Sequence, residues 1–242
     1  MSLLHTRALV LRQTKFSDHS VILKTYTEER GLCPVMVRGV MKSKPAVSPA
    51  LLQPLTLLDM VIYHKEGGGI FQLKEMKGLM PYTSLPFDIR KSSVALFIAE
   101  LLDKSLKEEE SNRSLFDFLV TSLSILDISK ESVANFHCWF AMQLTRFLGF
   151  LPNGARERDA CCFDLREGVF LSRFPDHVHF LDSSLAGTFV AFSTPGFREY
   201  YLTVLGKEDK KNLVRAIIAY YQLHVTGFGK MHAHEVLEEV LG

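Results

Sequence analysis

The sequence predicts an α+β protein in two parts. A five-stranded β-barrel spans residues 1–80, and an α-helical domain spans residues 81–242. Three observations predict this. β-branched and aromatic residues concentrate in short runs within the first eighty positions. Pro81 and Pro86 then interrupt the pattern, and beyond them apolar residues recur at the helical period. The charge balance also changes sign: residues 1–80 carry eleven Lys/Arg against six Asp/Glu, and the rest carry seventeen against twenty-one.

Residues 4–14 mix Ala8-Leu9-Val10-Leu11 with Thr6, Arg7, Arg12 and Gln13, the alternation of a strand in a small barrel. Phe16-Ser17-Asp18-His19-Ser20 reads as a loop. Val21 to Thr27 reads as the second strand, and Glu28-Glu29-Arg30-Gly31 as a turn in which glycine supplies positive φ. Leu32 to Val40 forms the third strand. Pro45, Pro49 and Pro54 mark a loop with room for one helical turn. Leu55 to His64 is the fourth strand, Gly67-Gly68-Gly69 a reversal, and Ile70 to Leu79 the fifth strand. Five strands in about eighty residues fit an OB-type barrel, with an SH3-like barrel as the rival that strand count alone leaves open.

Helices follow. Ile89 to Leu106 places Val94, Phe97, Ile98, Leu101 and Leu102 on one stripe. Ser111-Asn112 caps a helix from Arg113 to about Leu126. Ser132 caps another from Val133 to Gly149, where glycine is the stop. Residues 150–195 are irregular, with Gly168 to Leu171 and His177 to Leu181 forming a short hairpin. Leu213 to Leu223 and His232 to Leu241 are the last helices.

Composition narrows the function. Hydrophobic residues make up 47% and charged residues 23% of 242, as in ordinary globular proteins. No apolar run reaches the ~18 residues of a membrane helix, and the N-terminus lacks the pattern of a signal peptide. The four cysteines, Cys33, Cys138, Cys161 and Cys162, outline no disulfide framework, which points to a reducing cytoplasm. Cys161 and Cys162 are adjacent and lack a second pair, so no metal is expected, although His177 and His179 are nearby. The Gly67–Gly69 run lacks the GxxxxGK[ST] spacing of a phosphate loop. His232-x-His234-Glu235 lacks the HExxH spacing. No catalytic residues or cofactor are predicted.

The basic N-terminal part instead suggests a polyanion partner. Arg12, Lys15, Lys24, Arg38, Lys42 and Lys44 are the predicted nucleic-acid contacts. The last three flank Gly39 in a loop where a backbone approaches a phosphate closely. Phe16, Tyr26, Tyr63 and Phe71 are candidate stacking platforms, or barrel core.

With these features in view, the chain resembles the recombination mediator RecO family. The resemblance runs through Thr6-Arg7-Ala8-Leu9-Val10-Leu11-Arg12-Gln13-Thr14-Lys15-Phe16-Ser17-Asp18 and Leu23-x-Thr25-Tyr26-Thr27-Glu28-Glu29-Arg30-Gly31. It continues through Val37-Arg38-Gly39-Val40 with Lys42-Ser43-Lys44, and Leu52-Gln53-Pro54-Leu55. Phe147 to Pro152 and Tyr220-Tyr221 extend it more weakly. It implies an OB-fold followed by a helical domain, binding of single- and double-stranded DNA, and annealing of complementary strands. It further implies partnership with RecR and with the acidic C-terminal tail of single-stranded DNA-binding protein, which helps load RecA in a cytoplasmic, nucleoid-associated setting. Arg90, Lys91 and Arg113 are candidate charges beside an apolar pocket for that tail. Several relatives carry a four-cysteine zinc motif after the helix ending near Phe150. Here only Cys161 and Cys162 remain, and a packed hairpin is expected in its place. The rival readings are an OB-fold module for RNA or protein without a recombination role, and a metal-free hydrolase.

Overall fold

A computed structural model describes residues 2–40, 47–64, 69–155, 159–194 and 199–241. Lys42, Lys44, Gly67 and Gly68, all part of the sequence expectations, lie outside the described residues. The described chain groups into two compact units, each built from two stretches of sequence. One combines Met1–Pro86 with Leu102–Ile128, and the other Phe87–Leu101 with Ser129–Gly242. The division expected at residue 81 thus differs from the observed grouping, in which a helical segment joins the barrel.

The barrel consists of β1 (Ser2–Ser17), β2 (Ser20–Thr27), β3 (Gly31–Arg38), β4 (Leu57–His64) and β5 (Phe71–Gly78), with a single 3-10 turn at Pro49–Leu52. It closes in the order β1-β2-β3-β5-β4. The parallel pairing of Val35 with Phe71 and Met36 with Gln72 joins β3 to β5. That order is the OB topology and resolves the rivalry with an SH3-like barrel. Period-2 patterning explains the core. In β3, Cys33, Val35 and Val37 are buried while Leu32, Pro34 and Met36 are only partly covered. They meet Ala8, Val10, Leu23, Leu58, Met60 and Ile62 inside the barrel.

β1 is longer than expected. Its first half pairs with β4, from Ser2↔His64 to Leu9↔Leu57. Its second half pairs with β2, from Ala8↔Thr27 to Ser17↔Ser20. The segment read as a loop from Phe16 to Ser20 is therefore a tight hairpin. The register slips between Val10 and Arg12 and between Lys15 and Ser17, leaving Leu11 and Phe16 as the extra residues of two bulges.

Carboxylates tie the remaining parts of this unit to the barrel. α1 runs over Ile89–Ser105 and α2 over Arg113–Ile128. Glu28 accepts from Arg7 Nε at 2.7 Å and Arg7 Nη2 at 2.8 Å, and from Arg113 Nε at 3.2 Å. Hydrogen bonding from Arg7 is the main reason its pKa is lowered. The Arg7 guanidinium also lies over the Phe116 ring, 5.1 Å from its centre. Ser111 Oγ donates to the Glu28 carbonyl at 2.7 Å, and Leu32 N–H donates to the Glu108 carbonyl at 2.8 Å. Gly31 sits there at φ 66°, where a Cβ would lie 2.3 Å from the Glu110 carbonyl oxygen. The α2 cap is Asn112, whose Oδ1 accepts from Leu115 N–H at 2.9 Å.

At the other end of α2, Asp127 is buried. It accepts backbone N–H bonds from Thr83, Ser84 and Leu85 at 2.7–3.1 Å and the Thr83 hydroxyl at 2.9 Å. Burial alone would raise its pKa, but these donors outweigh it and hold the pKa near about 2.

In the second unit, α3 (Phe136–Leu148) starts three residues later than expected and ends at Gly149, in the left-handed region at φ 84°. The expected Ser132 cap is not the N-cap; Asn135 is. The expected hairpin is a three-stranded sheet. β6 (Cys162–Asp164) lies between β7 (Val169–Leu171) and β8 (Phe180–Asp182), so the two predicted strands do not pair with each other. Three-residue β6 is too short to show a period. α4 (Ser183–Ala191) and α5 (Glu199–Leu202) were not foreseen. For α4 the signal was present, since Asp182 caps it by accepting from Ser184 and Leu185 N–H. α6 (Lys207–His224) and α7 (Ala233–Leu241) complete the unit.

Two outcomes test this architecture. Asp127→Ala leaves three backbone N–H groups without their acceptor and is expected to cost roughly 3 kcal/mol in urea unfolding. Because the folded pKa is depressed, the Asp127 contribution is fully present above about pH 4 and lost as pH falls toward about 2. In the wild type it amounts to about 2 kcal/mol across that window, so the variant should show a flatter acid limb. Gly31→Ala combines positive φ with a backbone clash and is expected to destabilise by roughly 2 kcal/mol or more; a wild-type midpoint would count against this account of the turn.

Candidate nucleic-acid interface

The predicted cations fall into three groups. Arg38 ends β3 and faces a shallow groove of about 700 Å³ on the barrel surface. The apolar floor includes Met36, Val61, Leu73 and Met76, and the rim adds His5, Lys74 and Lys77. Lys77 Nζ lies 3.1 Å from Asp59 Oδ2, and His5 also bonds to Asp59. These donors, the Lys77 ammonium first, lower the Asp59 pKa. Lys74 lies 3.4 Å from Glu75. Arg38 meets no carboxylate at ion-pair distance among the described residues.

Arg12 and Lys15 sit on the β1–β2 hairpin. Arg12 Nη1 is 3.3 Å from Asp103 Oδ2, and Lys15 Nζ is 3.1 Å from Asp18 Oδ1. Both pairs are exposed on the cation side, where such pairs are worth little and yield to a competing phosphate. Lys24 is different. Its side chain is 21% exposed and its ammonium lies 2.8 Å from Asp103 Oδ1, with a further bond to the Asp103 carbonyl. Lys24 therefore anchors the end of α1 and does not join an open basic face.

The candidate platforms divide. Tyr26 and Phe71 are barrel core, and Arg30 packs over the Phe71 ring at 5.1 Å. Phe16 and Tyr63 are exposed. Tyr63 pairs with Gln72 beside the groove. Sequence reading passed over Lys74 and Lys77. Their signal was the charge alternation of Gln72-Leu73-Lys74-Glu75-Met76-Lys77, in which the apolar positions line the floor and the cations the rim.

Arg90 and Lys91 belong to the second unit, and Arg113 does not. It belongs to the barrel unit and is held by Glu28, with Glu29 at 3.6 Å. Lys91 is 7% exposed and donates to the Ser129 carbonyl at 2.8 Å. Arg90 is exposed and lines a surface groove of about 780 Å³ with Lys130, Val133, Ala134, Val240 and Leu241.

The cysteine pair does not fit a tetrahedral metal site. Cys161 and Cys162 Sγ atoms are 3.8 Å apart, and burial pushes the Cys162 thiol up to about 11, so it keeps its proton. His177 is turned to Asp164 at 3.3 Å. Asp164 Oδ1 accepts from Arg166 N–H at 2.7 Å and Glu167 N–H at 3.4 Å, ordering the turn between β6 and β7 without a metal. Among the described residues, no three His, Cys, Asp or Glu side chains are grouped to hold an ion. The C-terminal histidines serve the scaffold: His224 stacks on Phe150 and bonds to the Leu165 carbonyl at 2.9 Å, and His232 N–H is capped by Glu100. No described helix is long and apolar enough to cross a membrane.

A basic groove on an OB barrel, followed by helices, is where comparison with known proteins becomes informative. The family model described as "Recombination protein O N terminal" matches residues 1–82, and "Recombination protein O C terminal" matches residues 86–232. The chain is 34% identical to the DNA repair protein RecO of Christiangramia forsetii over 99% of its length and 100% of the relative's. It is 34% identical to that of Bacteroides fragilis over 97% and 98%, and 33% identical to that of Flavobacterium psychrophilum over the same shares. A barrel and a helical part matched in order, with relatives aligned nearly end to end, make this chain a member of the recombination protein O family of DNA repair mediators.

Proposed function

We propose that the chain is a non-catalytic mediator that binds single- and double-stranded DNA on its barrel and anneals complementary strands. The observation that carries this is the groove bearing Arg38, Lys74 and Lys77 above an apolar floor. Arg12 and Lys15 on the neighbouring hairpin, and Lys42 and Lys44 after β3, extend the same basic set. Phosphates contact the cations and bases rest on the apolar floor. Two strands held against one basic surface repel each other less, which is the physical route to faster annealing. The helical part is the partner module, for RecR and for the acidic tail of single-stranded DNA-binding protein, and through them for RecA loading.

The groove beside Arg90 suits such a tail. Arg90 and Lys130 offer charge, and Val133, Ala134 and Leu241 offer apolar contact. Lys91 supports that rim through Ser129, and Arg113, already neutralised by Glu28, takes no part.

Anisotropy titration of single-stranded DNA across a salt series tests the first claim. Each phosphate contact releases roughly 0.7 counterions, so Arg38→Ala/Lys74→Ala/Lys77→Ala should lower the slope by about two units. A wild type that does not bind at low salt would remove the DNA-binding reading, and tight binding to RNA alone would favour the module without a recombination role. For the second claim, Arg90→Glu/Lys130→Glu should weaken binding of an acidic tail peptide roughly ten-fold or more, with Arg113→Glu unchanged. Equal losses in both variants would argue against the Arg90 groove.

A further inference from the structure

The tip of the β1–β2 hairpin carries an exposed aromatic ring that the barrel does not use. Every residue from Arg12 to His19 is exposed, while the partner strand keeps Val21 and Leu23 in the barrel core. The last fully buried residue of β1 is Leu11, and the ring stands at the open end of the hairpin, past Val21, the last buried residue of β2. Phe16 is 60% exposed. It is also the extra residue of the bulge between the Lys15↔Val21 and Ser17↔Ser20 pairs. A bulge turns a side chain away from the regular ladder. Lys15 adjoins the ring in sequence, and Arg38 lies across the ribbon, opposite Ser20. Lys15 is paired only with highly exposed Asp18, a contact that a phosphate displaces readily.

We propose that Phe16 is a stacking wedge that caps the terminal base pair where a DNA duplex meets a single strand, resting on the DNA-binding reading above. The geometry favours a duplex end over the alternatives. Surfaces that hold single strands present several rings along a track, and here one ring stands at the open end of a hairpin. Inserting a ring within a duplex requires unstacking a base step, at a cost of a few kcal/mol. At a duplex end, one face of the last pair is already free, so a ring can stack without that cost. Lys15, next to the ring in sequence, is then placed to meet a phosphate that flanks the junction. Annealing generates such ends as a duplex grows, so the wedge would mark the growing edge.

The test compares a junction, half duplex and half single strand, with a single strand of equal length. 2-Aminopurine is placed either at the terminal pair or inside the duplex. Wild type should bind the junction more tightly and change the fluorescence of the terminal probe but not the interior one. Phe16→Ala should lose junction affinity on the order of ten-fold, erase the terminal signal, and leave single-strand affinity and salt slope unchanged. Phe16→Trp should restore both junction readouts. Because the ring is exposed, Phe16→Ala should keep the wild-type melting temperature, which confirms that the loss is local. Wild-type junction binding by Phe16→Ala overturns the wedge and leaves the DNA-binding reading intact. Equal losses on junction and single strand also overturn it, by making Phe16 a general platform. Absence of any DNA binding by wild type overturns both.

Discussion

Sixteen residues of continuous extended chain, β1, hold both sides of the barrel together, and the rest of the first unit is arranged around that constraint. A strand that pairs with β4 in its first half and β2 in its second must bend between them. The extra residue at Leu11 permits the bend while four consecutive side chains, Ala8 to Leu11, stay buried, Ala8 and Val10 of them in the barrel core. Beyond the bulge, β4 no longer follows, so the rest of β1 is an edge paired with β2 alone. The hairpin with Arg12, Lys15 and Phe16 is thus a consequence of how the barrel closes. Its exposed edge is guarded by charge, the usual protection of an edge against unwanted pairing.

Single carboxylates order the connections that lack a ladder of their own. Glu28 gathers two guanidinium groups, Asp127 gathers three backbone N–H donors, and Asp164 shapes the turn after β6. Glu100 caps the start of α7 through His232 and Ala233 N–H groups. An ionised carboxylate accepts several hydrogen bonds at once, and bonds to a charged acceptor are stronger than neutral ones. At Glu28 and Asp127 this appears as a lowered pKa against the opposing effect of burial. The turn at Asp164 shows the same logic: one side chain fixes the chain reversal, and Phe163 packing against Phe170 and Phe189 supplies the apolar support.

Much of this was legible in the sequence, for reasons that can be named. Five strands were read because each half-buried strand alternates at period two, as Gly31 to Arg38 does clearly. α1, α2 and the part of α6 from Leu213 were read because their apolar positions recur at helical spacing; the polar start of α6, Lys207 to Asn212, carries no such pattern. β6 escaped because Cys162-Phe163-Asp164 is buried throughout and too short to alternate, and its omission turned a three-stranded sheet into a hairpin. The start of α3 was misjudged because Ser132 is a good cap residue, while the helix begins after Asn135. At the interface, residue type was legible and pairing was not. Nothing near Lys24 announces that Asp103, 79 residues later, neutralises it, and Arg113 looks available until Glu28 is brought to it by the turn before Gly31. Lys74 and Lys77 stand out less in the sequence because Glu75 lies between them and offsets their charge.

The cations of the barrel are partly compensated before any DNA arrives, and this bears on what a mediator must do. Lys77 faces Asp59, Arg12 faces Asp103, and Lys15 faces Asp18. A phosphate that displaces such a carboxylate gains the difference between two interactions, not the whole of one, so each contact contributes less than an open cation would. The carboxylate left behind then helps the phosphate to leave. A protein that stores DNA gains from uncompensated charge, whereas one that must align two strands and then release the duplex gains from contacts that exchange. On the proposed reading, Arg38, which meets no carboxylate at ion-pair distance among the described residues, would supply a firmer point of attachment, and the compensated cations around it would let the strands shift in register until their bases pair.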